Sequence, residues 1–332
     1  MRALRARFPR LASTLPSVDL RVGETPVERW CVDGVSLLAK RDDLSSATLG
    51  GNKVRALELL LAGVGPDHRL LTVGSTGSTH AVAVAHYGAR LGAVTDVITW
   101  PQEDNAISRE TARRLARRAH VSAARSPVDA YLRAVFRRAS HDVHWIPAGG
   151  SCPLGALGHA SAALELVAQL QREGRPAPSE IVVPLGSGGT VAGLLLGLSV
   201  AGVRTRVVGV RVVPQSVGNR WRVMHLARQA RALLARLSGE AVAEIAPSRL
   251  EIVQDAYGGA YGRETEIARN AARALRVTGG PTLDGTYSAK AFGHALGRAR
   301  GAPGDSVMFW LTFDGRWLEA ADEAAPLLRP PR

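Results

Sequence analysis

Lysine is scarce in this chain, and one of its few lysines closes the string Gly50-Gly51-Asn52-Lys53. Lysine and arginine together number 42, and only Lys40, Lys53 and Lys290 are lysines. Arginine cannot replace lysine where an amine must lose its proton and attack a carbonyl carbon. The retention of Lys53 beside two glycines therefore indicates a nucleophilic amine, with a solvent-exposed lysine at a helix start as the alternative.

A glycine-rich loop, Gly186-Ser187-Gly188-Gly189-Thr190, follows the apolar run at residues 181–184. Its glycines let backbone N–H groups turn toward an anion, and the helix predicted after it adds the positive end of its dipole. Ser187 and Thr190 add hydroxyl groups. The loop predicts a phosphate site, and a glycine-rich turn with Thr190 as helix N-cap is the alternative. It matches neither the Walker A loop nor the full dinucleotide fingerprint.

A third polar segment, Gly77-Ser78-Thr79-His80, follows the apolar run at residues 70–73. For Ser78, a plain N-cap role is the alternative to a role in chemistry. Taken together, an isolated lysine, a phosphate loop and this segment suggest a lysine that forms a Schiff base with pyridoxal phosphate.

These segments must be positioned by an alternation of strands and helices. Strands are predicted at residues 70–73, 96–100, 144–147, 181–184, 207–213, 250–253 and 306–312, and helices at 54–63, 80–91, 108–119, 157–172, 190–200, 221–237 and 264–275. Such alternation predicts an α/β fold with parallel strands. The polar loops would lie at the carboxyl ends of strands, where ligands bind in open α/β sheets.

Composition narrows the class of protein. A chain of 332 residues with 46% hydrophobic and 21% charged residues predicts a globular protein large enough for two domains. Two cysteines are too few for a disulfide framework, so we expect a reducing compartment, the cytoplasm. Arginines and a proline interrupt the N-terminal segment, which argues against a secretory signal. No apolar run reaches the roughly 18 residues that a membrane span needs.

The net charge of +13 is spread along helices, without basic blocks interleaved with aromatic residues, so we expect no nucleic-acid partner. The histidines His80, His86 and His294 show no metal-ligand spacing, so we expect no metal. Cys152 is interpreted as structural, because a nucleophilic cysteine would need a lowered pKa that the sequence does not indicate.

The ordered motifs resemble the D-cysteine desulfhydrase / 1-aminocyclopropane-1-carboxylate deaminase family of pyridoxal-phosphate enzymes, within the tryptophan-synthase-β-like group (fold type II). The resemblance covers most of the chain and is carried by the strings at residues 40–44, 50–58, 146–151, 155–158, 186–190, 257–262, 283–291 and 309–312. It implies two doubly wound parallel-sheet domains with the cofactor in the cleft between them. The large domain would comprise residues 1–53 and 161–332, the small domain residues 54–160, and the assembly would be a homodimer.

The resemblance also implies roles for individual residues. Lys53 would hold the cofactor and, once freed by the substrate amine, take the Cα proton; Ser78 and Tyr287 would be the other catalytic residues. Contacts to pyridoxal 5'-phosphate are implied for Lys53, Asn52, Thr79, Gly186, Ser187, Gly188, Gly189, Thr190, Ser288 and Thr312. Ser288 would stand at the pyridine nitrogen. A hydroxyl there would not keep that nitrogen protonated as a carboxylate would, which favours β-elimination over the opening of an unactivated ring.

The sequence departs from the family pattern in three places. Thr79 stands where the family usually has Asn, Thr286 where it often has Val, and Phe313-Asp314 where it usually has Gly-Gly. Phe313 and Asp314 would crowd or recharge one edge of the pocket.

The sequence therefore predicts a pyridoxal-phosphate-dependent lyase or deaminase acting on a small amino acid. Its expected reaction is an α,β-elimination like that of D-cysteine desulfhydrase, which gives a 2-oxo acid and ammonia. Two alternatives remain: a cofactor-binding protein with a degenerate pocket, and a racemase or β-replacement enzyme on the same scaffold. A small amino acid is the expected partner, with neither nucleic acid nor membrane.

Overall fold

Two β-sheets organise the chain in its computed structural model, which describes residues 1–140, 142–302 and 304–319. The larger sheet has the strand order β1-β2-β10-β7-β8-β9. Its strands are β1 (Val27–Val32), β2 (Val35–Lys40), β7 (Glu180–Leu185), β8 (Arg206–Arg211), β9 (Leu250–Val253) and β10 (Val307–Trp310). The smaller sheet has the order β5-β4-β3-β6, with β3 (Arg69–Ser75), β4 (Val94–Trp100), β5 (His120–Ala123) and β6 (His144–Ile146).

Every pairing in the two sheets is parallel except the first, in which β1 runs antiparallel to β2 at the edge of the larger sheet. The seven predicted strands are all present. The prediction missed β1, β2 and β5. In β1 and β5 most residues are exposed or half-buried, so neither shows the continuous apolar run of a buried strand. In β2 the run ends in a buried lysine, Lys40.

Helices cover both sheets. They are α1 (Arg2–Arg7), α2 (Leu11–Thr14), α3 (Asn52–Leu60), α4 (Thr79–Arg90), α5 (Ala106–Ala116), α6 (Pro127–Ser140), α7 (Pro153–Arg172), α8 (Gly189–Val200), α9 (Arg220–Ser238), α10 (Glu266–Val277), α11 (Ser288–Arg300) and α12 (Arg316–Glu319). All seven predicted helices are present, and α1, α2, α6, α11 and α12 were not predicted. None of the helices in the described ranges combines the length and apolarity that crossing a membrane requires.

Each sheet is covered on both faces, as a doubly wound fold requires. One face of the larger sheet packs on α1, α7, α8 and α9, and its other face on α10 and α11. The smaller sheet packs on α3 and α4 on one face and on α6 on the other. The predicted α/β fold with two doubly wound, mainly parallel sheets is confirmed.

The limits of the two predicted domains stay a prediction. The four strands of the smaller sheet lie within residues 69–146, inside the predicted small domain. The predicted boundary at residue 160 falls within α7, which runs without interruption from Pro153 to Arg172. Residues 320–332 of the predicted large domain lie outside the described residues.

Candidate active site

A cavity of about 680 Å³ opens where strands of both sheets end. The last residue of β3, Ser75, lines it from the smaller sheet, and Thr312, just after β10, lines it from the larger sheet. Residues at the starts of α3, α4 and α8 complete its inner wall. The carboxyl ends of strands and the amino ends of helices thus meet at one place, as in other open α/β ligand sites.

Lys53, the second residue of α3, lines this cavity. Its position depends on the two glycines before it. Gly51 has φ +92°, and a Cβ there would lie 2.6 Å from the carbonyl oxygen of Thr312. A Cβ on Gly50 would lie 2.0 Å from the carbonyl oxygen of Asp43. Only glycine allows α3 to start this close to the neighbouring backbone, so the glycines of the motif serve the placement of Lys53.

The amine of Lys53 is half-buried and lacks any hydrogen-bond or ion-pair partner within the described residues. Burial lowers its pKa to about 8, against the opposing effect of the Asp284 carboxylate. At neutral pH a far larger fraction of this amine is uncharged than in an exposed lysine, and the uncharged amine is the nucleophile.

The glycine-rich loop lines the cavity with all five of its residues, from Gly186 to Thr190. Gly188 is left-handed, with φ +97°, and precedes the first residue of α8. The Oγ of Ser151 lies 2.6 Å from the Oγ of Ser187 and accepts a hydrogen bond of 3.2 Å from the N–H of Gly189. A helix start with glycines and two hydroxyl groups has the composition of a phosphate site.

Close contacts at this loop exclude larger side chains. A Cβ on Gly189 would lie 2.8 Å from the Oγ of Ser151, and a Cβ on Gly149 would lie 2.3 Å from the Oγ of Ser187. The loop is tied to α3 by a hydrogen bond of 2.7 Å from Nδ2 of Asn52 to Oγ1 of Thr190. The glycine cradle and the unpaired Lys53 amine in one cavity fit the phosphate and aldehyde groups of pyridoxal phosphate. Sequence reasoning did not single out Ser151, although it stands in the quoted string at residues 146–151.

Ser78 and Thr79 line the cavity at the start of α4. The Oγ of Ser78 accepts a hydrogen bond of 3.2 Å from the N–H of Ala81, so the serine is the helix N-cap. A capping hydroxyl that accepts from the backbone keeps its own proton free to donate into the cavity. The two readings of Ser78 are therefore compatible.

Tyr287 lines the cavity and its hydroxyl lies 2.5 Å from that of Tyr261, another lining residue. Burial raises the pKa of Tyr287 well above its usual value, and the Tyr261 hydroxyl beside it raises it further. Both phenols are therefore neutral at physiological pH and act as hydrogen-bond donors and acceptors. Sequence reasoning missed Tyr261, which belongs to the quoted string at residues 257–262.

Asp284 is a buried carboxylate in the cavity wall that sequence reasoning also missed. It accepts hydrogen bonds from the N–H groups of Thr286, Tyr287 and Ser288, at 3.1, 2.7 and 3.0 Å. Burial raises its pKa, and the three N–H donors oppose that shift. Asp284 thereby fixes the turn that presents Tyr287. An aspartate before a glycine is typical of turns, so its type gave no separate signal.

Ser288 is fully buried and is not among the residues that line the cavity. Its Oγ has no hydrogen-bond partner in the part of the chain that the structure describes. Buried hydroxyl groups are ordinarily paired, and the side chain of Ser288 helps to lower the pKa of the Asp284 carboxylate, which is therefore its available acceptor. Its expected place at the pyridine nitrogen stays a prediction.

The departure at Phe313-Asp314 is built into the structure beside Lys53. The Asp314 carboxylate accepts a hydrogen bond of 2.8 Å from the N–H of Gly50 and pairs with Arg316. Phe313 is buried and packs edge-on against Trp317, with ring centroids 6.2 Å apart. The carboxylate charge is thus matched by a guanidinium, and the aromatic ring belongs to the core of the smaller sheet.

His80, which lines the cavity, and Cys152, which follows the lining residue Ser151, are both uncharged side chains. Burial lowers the pKa of His80 to about 3, and the Lys53 charge contributes, so this imidazole stays neutral. Burial raises the pKa of the Cys152 thiol, whose Sγ accepts from the N–H of Gly155 as the N-cap of α7. A neutral capping thiol agrees with the structural interpretation of Cys152. Within the described residues, no group of His, Cys, Asp and Glu is arranged to hold a metal.

Residues 18–312 match the family model described as "Pyridoxal-phosphate dependent enzyme". The chain belongs to this enzyme family. The family confirms the predicted cofactor, pyridoxal 5'-phosphate, and the prediction that the chain is an enzyme.

Comparison with individual proteins shows which members of the family this chain is similar to. The chain is 34% identical to nocardicin C-9' epimerase of Nocardia uniformis subsp. tsuyamanensis, over 94% of this chain and 96% of the relative. It is 32% identical to D-cysteine desulfhydrase of Serratia proteamaculans (strain 568), over 86% and 87% of the two chains. The structure of an ACC deaminase homologue superposes with a TM-score of 0.75 at 28% identity, covering 93% of this chain and 94% of that one. The predicted family of desulfhydrases and cyclopropane-carboxylate deaminases is confirmed.

Proposed function

We propose that this chain is a pyridoxal-phosphate-dependent lyase or deaminase that acts on a small amino acid. The observation that carries the proposal is the Lys53 amine, which has a pKa of about 8 and no hydrogen-bond or ion-pair partner among the described residues, in the same cavity as the Gly186–Thr190 loop. The reaction would remove the Cα proton and expel a β substituent. For cysteine, amino acid and water would give pyruvate, ammonia and hydrogen sulfide.

The position of each residue in the cavity indicates its role. Gly186 to Thr190 would hold the cofactor phosphate, with Ser151 orienting the loop through Ser187 and Gly189. Pyridoxal phosphate, when bound, supplies the electron sink that makes a Cα proton removable. Lys53 would take that proton at Nζ, because an amine with a pKa near the working pH serves as an effective general base.

Ser78, Tyr287 and Tyr261 would contact the substrate. The Ser78 hydroxyl, free to donate, and the Tyr287–Tyr261 pair are proton-carrying groups that line the cavity together with Lys53. Tyr287 is held by Tyr261 and by the turn that Asp284 fixes. A rigid phenol is well suited to orient a leaving group or a carboxylate.

The test is product analysis with matched lysine variants. Wild type, Lys53→Ala and Lys53→Arg would be loaded with cofactor and incubated with D- and L-cysteine, and 2-oxo acid, ammonia and sulfide would be measured. We expect turnover by wild type alone, because arginine keeps the charge but lacks a nucleophilic amine. Turnover by Lys53→Ala at the wild-type rate would refute the role of Lys53.

Epimerisation is the second candidate, favoured by the 34% identity to nocardicin C-9' epimerase. It would use the same Cα proton removal, with return of a proton from the opposite side, and Ser78 is a second group able to carry one. In D₂O, an epimerase returns the intact amino acid with deuterium at an inverted Cα, whereas elimination releases ammonia. Deuterated, inverted amino acid would therefore indicate epimerisation, and released ammonia would indicate elimination.

A degenerate, non-catalytic pocket is the remaining alternative. Against it stands the pairing of Asp314 with Gly50 and Arg316, which leaves its carboxylate matched rather than free in the cavity. Restoring Asn at 79 and Gly-Gly at 313–314 tests it: a gain of turnover in an otherwise inactive chain would support degeneracy. The expectation of a cytoplasmic homodimer also belongs to the proposal, and sedimentation of the loaded protein would test the dimer.

A further inference from the structure

The outer part of the cavity has a different chemical character from the part around Lys53. Trp100, at the end of β4, and Tyr131, on α6, line it with their rings stacked at a centroid distance of 6.3 Å and an angle of 29°. Tyr131 is 45% exposed although it is a large aromatic residue. Pro127 and Val217 also line the cavity. An exposed apolar wall inside a ligand cavity indicates that a bound molecule covers it.

A cation stands at the same opening. Arg222, the third residue of α9, lines the cavity and is exposed. Its guanidinium makes neither a side-chain hydrogen bond nor an ion pair with any residue that the structure describes. It lies near enough to Tyr131 to act on the phenol, whose pKa burial raises and the Arg222 charge lowers. The apolar wall and the guanidinium therefore border one volume. Tyr131 comes from α6, which packs on the smaller sheet, and Arg222 from α9, which packs on the larger sheet.

We propose that the amino acid bound at Lys53 carries a long apolar or aromatic side chain that ends in an anionic group, with Trp100 and Tyr131 covering the chain and Arg222 binding the anion. The inference takes from the proposed function only that an amino acid binds at Lys53. It replaces the small side chain proposed there with a long one, and the ligand series below decides between the two. A side chain as short as that of cysteine has too few atoms to cover the aromatic wall. Guanidinium groups bind carboxylates and phosphates through paired hydrogen bonds, which makes an anionic terminus the fitting partner.

The alternative place for Arg222 is at the α-carboxylate of the substrate, which every amino acid possesses. The two arrangements predict different patterns across a ligand series. An arginine on the α-carboxylate would strengthen binding of all amino acids equally, whereas an arginine on a terminal anion would strengthen only the ligands that carry one.

The experiment measures binding and exchange separately on the cofactor-loaded full chain. Both enantiomers of alanine, phenylalanine and 4-carboxyphenylalanine would be titrated by calorimetry, and Cα hydrogen exchange would be followed in D₂O by mass spectrometry. We expect 4-carboxyphenylalanine to bind about ten-fold more tightly than phenylalanine, as one charge-assisted contact at an exposed site supplies. Phenylalanine in turn should bind more tightly than alanine, because its ring covers the wall.

Two variants and their matched controls separate the contributions. Arg222→Gln should abolish the advantage of 4-carboxyphenylalanine over phenylalanine, while Arg228→Gln, an exposed position of α9 that does not line the cavity, should keep it. Tyr131→Ala should weaken both aromatic ligands and leave alanine unchanged. Leu132→Ala, its exposed neighbour on α6 outside the cavity, should change none of the three.

The outcomes distinguish this inference from the proposed function. If 4-carboxyphenylalanine binds no more tightly than phenylalanine, or if Arg222→Gln weakens all three ligands equally, the inference is wrong whatever the exchange shows. If the binding pattern holds and no ligand exchanges its Cα hydrogen, the inference stands and the proposed Cα chemistry fails.

Discussion

Replacing Glu165 by glutamine should remove a large part of the stability of this protein. Glu165 lies on α7 and pairs with two buried cations: Oε1 accepts from the Lys40 amine at 2.8 Å, and Oε2 from the Arg55 guanidinium at 3.0 Å. The side chains of Lys40 and Arg55 are 0% and 3% exposed. Glutamine keeps the size of the side chain and removes its negative charge.

The magnitude follows from the pKa of Glu165. Burial would raise it, but Arg55 and Lys40 outweigh burial and lower it from 4.5 to about 2. At 1.36 kcal/mol per unit, this difference corresponds to about 3 kcal/mol of stability above pH 4.5. Breaking a buried ion pair by removal of one partner costs about 3–5 kcal/mol, which agrees with this value. We expect Glu165→Gln to lose about 3 kcal/mol of unfolding free energy at neutral pH.

The pH dependence has a definite sign. A carboxyl whose pKa is lowered by folding contributes stability above its unfolded pKa of 4.5 and loses that contribution as the pH falls toward 2. The difference between wild type and Glu165→Gln should therefore be constant at higher pH and shrink below about pH 4.5. Glu173→Gln is the matched control, because Glu173 follows α7 directly and pairs with Arg175 at the surface. Such a surface pair contributes under about 1 kcal/mol.

Urea unfolding of the full chain, compared at equal slope, measures both quantities. A loss below about 1 kcal/mol for Glu165→Gln, no larger than that of Glu173→Gln, would refute the reasoning. So would a loss of the expected size that stayed constant down to pH 3, because it would come from packing rather than from the charge.

Three further predictions concern the cofactor site. The rate constant for loading apoprotein with pyridoxal phosphate, followed by absorbance, should rise about ten-fold per pH unit up to about pH 8 and then level, since the uncharged Lys53 amine reacts; a rise continuing to pH 10 would contradict the lowered pKa. Asp284→Asn should move that levelling to lower pH, because its carboxylate raises the Lys53 pKa; an unmoved or higher midpoint would contradict this. Gly189→Ala should weaken cofactor binding at equilibrium at least about ten-fold by displacing Ser151, whereas Gly297→Ala, whose Cβ would meet nothing within 4 Å, should leave it unchanged.

The sequence predicted secondary structure well where a single property, such as a continuous apolar run, distinguishes one type of element. Buried parallel strands are continuous apolar runs, and β3, β4 and β7 were predicted within two residues of their ends. The helix α6 was missed because its large apolar residues, among them Leu132 and Phe136, are exposed and interleaved with arginines, and only alanines face the sheet. A pattern of residue types does not tell which face of such a helix meets the core.

The site was predicted less completely than the fold, for a related reason. Glycine strings and a rare lysine stand out in a sequence, and Lys53 and the loop from Gly186 to Thr190 do line one cavity. Asp284, Ser151 and Tyr261 act through contacts with backbone or with other side chains, and their types are common in loops. Such partners become visible only when the chain folds them together.

Nucleophilic chemistry explains only one of the three lysines in this chain. Lys40 is fully buried and donates to the Thr25 carbonyl, Glu165 and Gln169 at 2.6–2.8 Å, and Lys290 is buried and donates to the Tyr257 carbonyl at 3.0 Å. A compact ammonium fits the converging acceptors around Lys40, and the larger planar guanidinium does not. Lys40 and Lys290 therefore serve buried hydrogen bonds, and Lys53 alone lines the cavity. What sets Lys53 apart is that its amine has no hydrogen-bond or ion-pair partner among the described residues, whereas the amines of Lys40 and Lys290 donate to acceptors. The retention of lysine thus identifies positions that exclude arginine, and the missing partner identifies the one among them that is free to react.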